Sequence, residues 1–247
     1  MTEPEPEIVT ERVTPPSARP GAPVARAELG AYAKLYVVLA GIFVTCLVVG
    51  DVIGGKNAVT PIGAVSVGML AFPVTFLLTD IVNDFYGVRG ARFLTLVGFG
   101  AAALAWSILQ IATHSTTDPS SYFEAGEFSK IFGGSAQLFL ASMVAFLIGQ
   151  FLDIYVFQFW KTLTQSRHLW LRATGSTLLS QLVDTSTINL GFWTGKKELG
   201  WIALKIVREY GVKVLVAILL TPAVYALHAV VVRRLGLAPE PVRTKLR

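Results

Sequence analysis

From Ala33 onward the chain is dominated by six apolar segments, 34–53, 64–86, 91–113, 136–160, 173–194 and 210–232. Each is long enough to cross a hydrocarbon core of roughly 30 Å, which takes about 20 helical residues. No water reaches that core, so a chain crossing it must satisfy its own backbone hydrogen bonds as a helix or a closed barrel. Membrane barrels show short alternating segments, whereas these runs are continuous. The expected fold class is therefore all-α: a polytopic membrane protein with six transmembrane helices. Composition agrees, with 53% apolar and 15% charged residues over 247 positions and a mean hydropathy of +0.59. A soluble domain carries about 25% charged residues, so an ordinary soluble enzyme is excluded. The net charge of +5 is dispersed between apolar runs rather than gathered into a nucleic-acid patch. No direct nucleic-acid partner is expected.

Three parts follow from the same pattern: a Pro-rich, disordered cytoplasmic tail at 1–32, a transmembrane domain at 33–234 and a basic cytoplasmic tail at 235–247. Residues 1–30 contain no apolar core of a signal peptide. With both termini cytoplasmic, Arg89, Arg92, Lys161, Arg167, Arg172, Arg233 and Arg234 fall on the inner side, as the positive-inside rule requires. The location expected is a cell inner membrane. Lys196, Lys197, Lys205 and Arg208 fall outside, and the nearby Trp201 suggests that this connection is an amphipathic interfacial segment. Gly50 and Gly54 would let helices approach closely, within one chain or between copies in a homo-oligomer.

Residues 77–84, Leu-Leu-Thr-Asp-Ile-Val-Asn-Asp, resemble 178–185, Leu-Leu-Ser-Gln-Leu-Val-Asp-Thr, and Asp51 and Asp153 lie at nearly the same spacing. Two halves of three helices each would be inverted repeats, because an odd number of crossings reverses the second half. Inverted repeats place a binding site near the bilayer midplane.

Asp51, Asp80, Asp84, Asp153 and Asp184 lie in or at the rims of these spans, while only Lys213 supplies a positive charge within them away from their first residues, where Lys34 and Arg92 stand. Lipid-facing carboxylates cost a few kcal/mol or more, so such groups turn inward to pair, protonate or bind. Asp51 and Asp84 stand near span ends, where a solvated helix terminus accounts for them. Asp80, Asp153 and Asp184 are the stronger functional candidates. Burial disfavours the charged form of Asp and Lys alike, which suits them to carry protons. Lys213 has the plainer alternative of an ion pair that fixes helix packing. Asp80 and Asp84 share a helix face with Thr79 and Asn83, and Pro73 upstream is expected to break the helix beside them, with Gly87 ending the run. Thr177, Gln181 and Asp184 share a face of the fifth span, with Ser180, Thr185 and Asn189 close by. Such amides and carboxylates can read the edge of a planar heterocycle, or simply tie helices together. Phe72, Phe76, Phe85, Tyr155, Phe157 and Trp193 are candidates for stacking.

Other chemistry is poorly supported. His114, His168 and His228 are scattered, Cys46 is the single cysteine, and no zinc-binding spacing, phosphate-binding loop or nucleophile elbow occurs. No metal, cofactor or catalytic residue is expected, and the protein is not expected to be an enzyme.

Phe72-Pro73, Leu78-Thr79-Asp80, and Tyr86-Gly87 with Arg89 and Arg92 resemble the signature of the queuosine precursor transporters, also called the vitamin uptake transporter family. So do Gly149-Gln150-Phe151-Leu152-Asp153, Ser176-Thr177-Leu178 through Asp184-Thr185, and Lys213-Val214-Leu215 with Pro222. The resemblance spans 34–234. It implies a six-helix inner-membrane importer of the queuosine precursors 7-cyano- and 7-aminomethyl-7-deazaguanine, which supply tRNA modification. It also implies Asp80, Gln150, Asp153, Asp184 and Lys213 as site residues. Asp51 stands where members often show Asn, and Asn83, Asp84 and Gln181 lie at variable positions.

The combined expectation places Asp80, Asn83, Gln181, Asp184 and Phe76 around a deazapurine in a midplane pocket. Asp153, Lys213, Gln150 and Asp51 would serve charge pairing or proton coupling. Two alternatives are a substrate-binding subunit of an ATP-driven importer, whose ATPase would be a partner chain, and an intramembrane aspartyl protease. Gly50-Asp51 lacks the first Gly of that protease's Gly-x-Gly-Asp pattern.

Overall fold

A computed structural model describes residues 30–60, 63–124, 126–133 and 136–241. Of the expected N-terminal tail, residues 1–29 lie outside this range. The elements are α1 (Ala31–Ile53), a hairpin of β1 (Asn57–Thr60) and β2 (Gly63–Ser66), a 3-10 turn (Val67–Leu70), α2 (Phe72–His114), α3 (Glu127–Phe132), α4 (Ala136–Leu163), α5 (Leu169–Trp193) and α6 (Leu199–Leu235). Among the described residues, four helical stretches are long and apolar enough to cross a membrane: Ala31–Ile53, Val67–His114, Glu127–Leu163 and Leu199–Leu235. The molecule is thus a helical, multi-pass membrane protein.

The expected second span at 64–86 is corrected. Its first residues are not helical: Asn57 pairs with Ser66 and Thr60 with Gly63 in an antiparallel hairpin. Gly68 then rests on the backbone of α1, where a Cβ would come within 2.5 Å of the Gly50 carbonyl. Pro73 does not break a helix either. It occupies the first turn of α2, where its missing N–H has no intrahelical acceptor to lose.

Gly87 is the true interruption, with φ 68° and ψ −174°, a conformation that glycine alone adopts readily. It divides α2 into arms 72–86 and 88–114, matching the expected end of one span and start of the next. The interfacial segment expected near Trp201 is not separate, because residues 199–235 form one continuous helix through Pro222.

The packing is inside-out relative to a soluble bundle. Exposed large side chains include Val37, Ile42, Phe93, Leu104, Leu140, Leu179 and Leu219, whereas Asp80, Asn83, Asp84, Gln150, Asp153 and Gln181 are buried. Lipid tails are as apolar as leucine, so apolar faces gain nothing by turning inward while unpaired polar groups must. An apolar core survives where Leu39, Phe43 and Leu47 of α1 meet Ala91, Leu94 and Ala102 of α2. Gly98 makes room there for the Phe43 ring. Helix α5 contributes the most polar buried face, from Arg172 through Ser176, Thr177, Ser180, Gln181 and Thr185 to Asn189.

Candidate functional site

Buried polar groups occupy three levels along the bundle. At one end is a cavity of about 410 Å³, bordered by the end of α1, the hairpin, the second arm of α2, α3, α4, α5 and the first half of α6. Lys213 Nζ donates to Asp184 Oδ2 at 2.6 Å in its wall. Lys205 pairs with Glu209 at 2.6 Å, and Asn189 Nδ2 donates to the other Glu209 oxygen at 2.7 Å. Asp51 accepts the Ser142 hydroxyl at 3.2 Å. Trp106 and Phe139, with ring centroids 4.7 Å apart and planes 12° from parallel, supply a flat aromatic patch.

The second level lies behind Lys213, which also borders a small cavity of about 20 Å³ with Asp80, Thr177 and Gln181. Asp80 and Asp153 are both buried at this level, and Asp80 Oδ1 and Asp153 Oδ2 have no hydrogen-bond partner among the described residues. Ser180 Oγ donates to Asp153 Oδ1 at 2.9 Å, and Thr79 Oγ1 contacts Gln150 Oε1 at 2.9 Å. Both polar atoms of the Gln181 amide are buried without a hydrogen-bond partner, as is Gln150 Nε2. Asn83 instead ties helices together, donating to the Ile154 carbonyl at 3.0 Å and accepting from Gln158 at 2.7 Å.

The third level is an ion cluster around Asp84. Lys161 of α4 lies 2.8 Å from Oδ1, while Arg172 of α5 and His228 of α6 lie 2.7 and 3.2 Å from Oδ2. The chain after α6 closes over this point. Leu237 is buried, the Ala238 carbonyl accepts the Tyr32 hydroxyl at 2.9 Å, and Glu240 N–H donates to the Asp84 carbonyl at 2.8 Å. The Glu240 carboxylate rests on Gly87, where any Cβ would collide with it.

The expected residues are therefore divided between levels. Asp51, Asp184 and Lys213 border the large cavity; Asp80, Gln181 and Lys213 border the small one. Asp153 and Gln150 are fully buried beside the latter. Phe76 is buried, and neither it nor Asn83 borders either cavity.

Two expectations are corrected here. Asp84 is no solvated helix terminus but is 0% exposed and ion-paired. Nor is Lys213 the single cation available to the acids, since Lys161 and Arg172 are buried at 2% and 3% exposure. Both cations stand just outside the apolar windows, which hid them. Glu209, Asn189, Ser142, Trp106 and Phe139 were not singled out as site residues, apart from Asn189 as a neighbour. The four-residue spacing of Lys205 and Glu209 was the available signal for that pair.

A family described as a putative vitamin uptake transporter matches residues 66–227. The chain is 29% identical over 163 residues to a "probable queuosine precursor transporter" of Bacillus subtilis (strain 168), covering 65% of this chain and 70% of that one. It is 31% identical over 162 residues to a "queuosine precursor transporter" of Escherichia coli (strain K12), covering 61% and 66%. A "probable queuosine precursor transporter" of Haemophilus influenzae is 28% identical over 122 residues, covering 48% and 47%. No solved structure matches the chain. The names of these relatives are those of transporters, not enzymes. With well over half its length matched, the chain belongs to the vitamin uptake transporter family.

Proposed function

We propose that this protein imports queuosine precursors, 7-cyano- and 7-aminomethyl-7-deazaguanine, across a cell inner membrane. The observation that carries this reading is the cavity of about 410 Å³ at one end of the bundle, with Asp184, Lys213, Asp51 and aromatic rings in its wall. Its size is within the range of small-molecule sites, roughly 300–1,000 Å³. A carboxylate can accept the paired N–H donors of a guanine-like edge, and an aromatic patch can take the ring face. The names of the relatives support the substrate class.

Six crossings accommodate the path, with α2 counted as two arms and α5 as a crossing whose polar face is screened by its neighbours. Both termini then lie in the cytoplasm, and the inverted-repeat pattern remains the proposed origin of the two halves. The residues act in sequence along the axis. Asp184 and Lys213 receive the heterocycle, and Asp80 and Gln181 take it over when the cavity beneath them widens. Asp153 and Gln150 support that layer, with the Asp80 and Asp153 pair exchanging a proton during the cycle. The Asp84 cluster separates to release substrate on the inner side. Asn83 and Phe76 hold the packing behind this path.

The test uses a host that can neither make nor import the precursors but retains the steps that insert them into tRNA. Expression of the chain with nanomolar precursor outside is expected to yield queuosine in tRNA by mass spectrometry. Absence of queuosine with the chain verified in the membrane overturns import by this chain alone and favours an importer with an ATP-hydrolysing partner.

A further inference from the structure

Five charged side chains border the large cavity, and four of them are matched: Asp184 with Lys213 and Glu209 with Lys205, each at 2.6 Å. Asp51 is the exception. Among the described residues its Oδ1 accepts only the Ser142 hydroxyl, at 3.2 Å, and its Oδ2 is buried with no hydrogen-bond partner. Asp51 also lies close enough to Asp184 for their charges to interact. Among the described residues, the cavity thus holds one acid without an ion-pair partner, beside a second acid whose charge Lys213 already balances. Asp80 and Asp153 make no ion pair among the described residues either, but the Arg172 charge reaches Asp80 and the small cavity there is only about 20 Å³. Of these acids, Asp51 is the one that borders a cavity of ligand size.

A buried carboxylate oxygen without a donor is costly, and the least costly remedy is a guest that supplies both a donor and a positive charge. The two precursors differ in this respect. A 7-aminomethyl group is a protonated primary amine with three N–H donors, whereas a 7-cyano group is neutral and can only accept. Resting on the transport of a 7-deazaguanine, we propose that Asp51 determines specificity at the 7-substituent, binding the ammonium of the aminomethyl form and favouring it over the cyano form.

The experiment compares initial rates for the two precursors in the same host, with queuosine in tRNA as the readout. Asp51→Asn is expected to lower the ratio of aminomethyl to cyano uptake by about tenfold or more, as loss of one charge-assisted hydrogen bond predicts. Asp51→Glu is expected to preserve the preference. An unchanged ratio, or equal loss of both substrates with the variant present in the membrane, overturns the assignment. A second measurement needs no variant. The 7-hydroxymethyl analogue, equal in size but uncharged, should compete with labelled aminomethyl substrate at least tenfold less well than the unlabelled amine does. Equal competition overturns the role of charge. If the unaltered chain takes up neither precursor, the transport reading itself fails and this assignment falls with it, an outcome distinct from transport without discrimination.

Discussion

Removing the Asp84 carboxylate would leave Lys161 and Arg172 buried beside each other without the ion-pair partner they share. Breaking one side of a buried pair typically costs about 3–5 kcal/mol, so Asp84→Ala should markedly lower the melting temperature in detergent. Asp184 sits in a different setting, in the wall of a cavity with Lys213 as its partner. Asp184→Asn is expected to reduce uptake at least about tenfold, the scale of a lost charged hydrogen bond, at normal membrane abundance. Unchanged uptake would remove Asp184 from the site. The sequence marked both residues as acids in apolar surroundings, yet it ranked Asp84 as solvated because it lay near the end of an apolar run. Position along a run reports depth only when the helix stands clear of its neighbours, and here α4, α5 and α6 all converge on that end.

At the scale of elements, the bend in α2 depends on Gly87 rather than on Pro73. Gly87→Ala must place a Cβ in a backbone region that disfavours it and against Glu240, so a loss of about 1–3 kcal/mol is expected. Pro73→Ala should cost less than about 1 kcal/mol, since the proline lies in the first turn. Denaturation of the two variants in the same detergent compares them directly, and the reverse order would locate the structural break at the proline. Hydropathy made the apolar segments legible because each depends on its own residues. It misread 64–71, where small and β-branched residues are apolar enough for a span yet fold as a hairpin and a 3-10 turn. That choice follows from close backbone contact between Gly50 and Gly68, a tertiary fact.

For the whole molecule, the cavity and the Asp84 cluster lie at opposite ends of the bundle, so access should be one-sided in this conformation. In a Cys46→Ser background, Ile188→Cys, which borders the cavity, should react with an impermeant maleimide from outside intact cells, with protection by excess precursor. Ser176→Cys, buried beside the Asp80 layer, should remain unlabelled. Labelling of Ile188→Cys only after the membrane is opened would reverse the orientation. Collapse of the proton gradient should slow initial uptake if Asp80 and Asp153 exchange a proton during the cycle. Indifference would leave facilitated diffusion with metabolic trapping.

The sequence by itself determined the membrane setting, the helical class and which acids must turn inward, because burial cost and backbone satisfaction in lipid act on each segment separately. Its motifs also carried the family resemblance. Only the tertiary structure decided who pairs with whom. Asp84 meets Lys161 and Arg172 from 77 and 88 residues away, through helix rotations that no local pattern encodes. The same rotations match Asp184 with Lys213 and leave Asp51 bordering the cavity without a cation. Charge balance inside a bundle is a property of the assembled helices, since each helix alone presents only half of every pair.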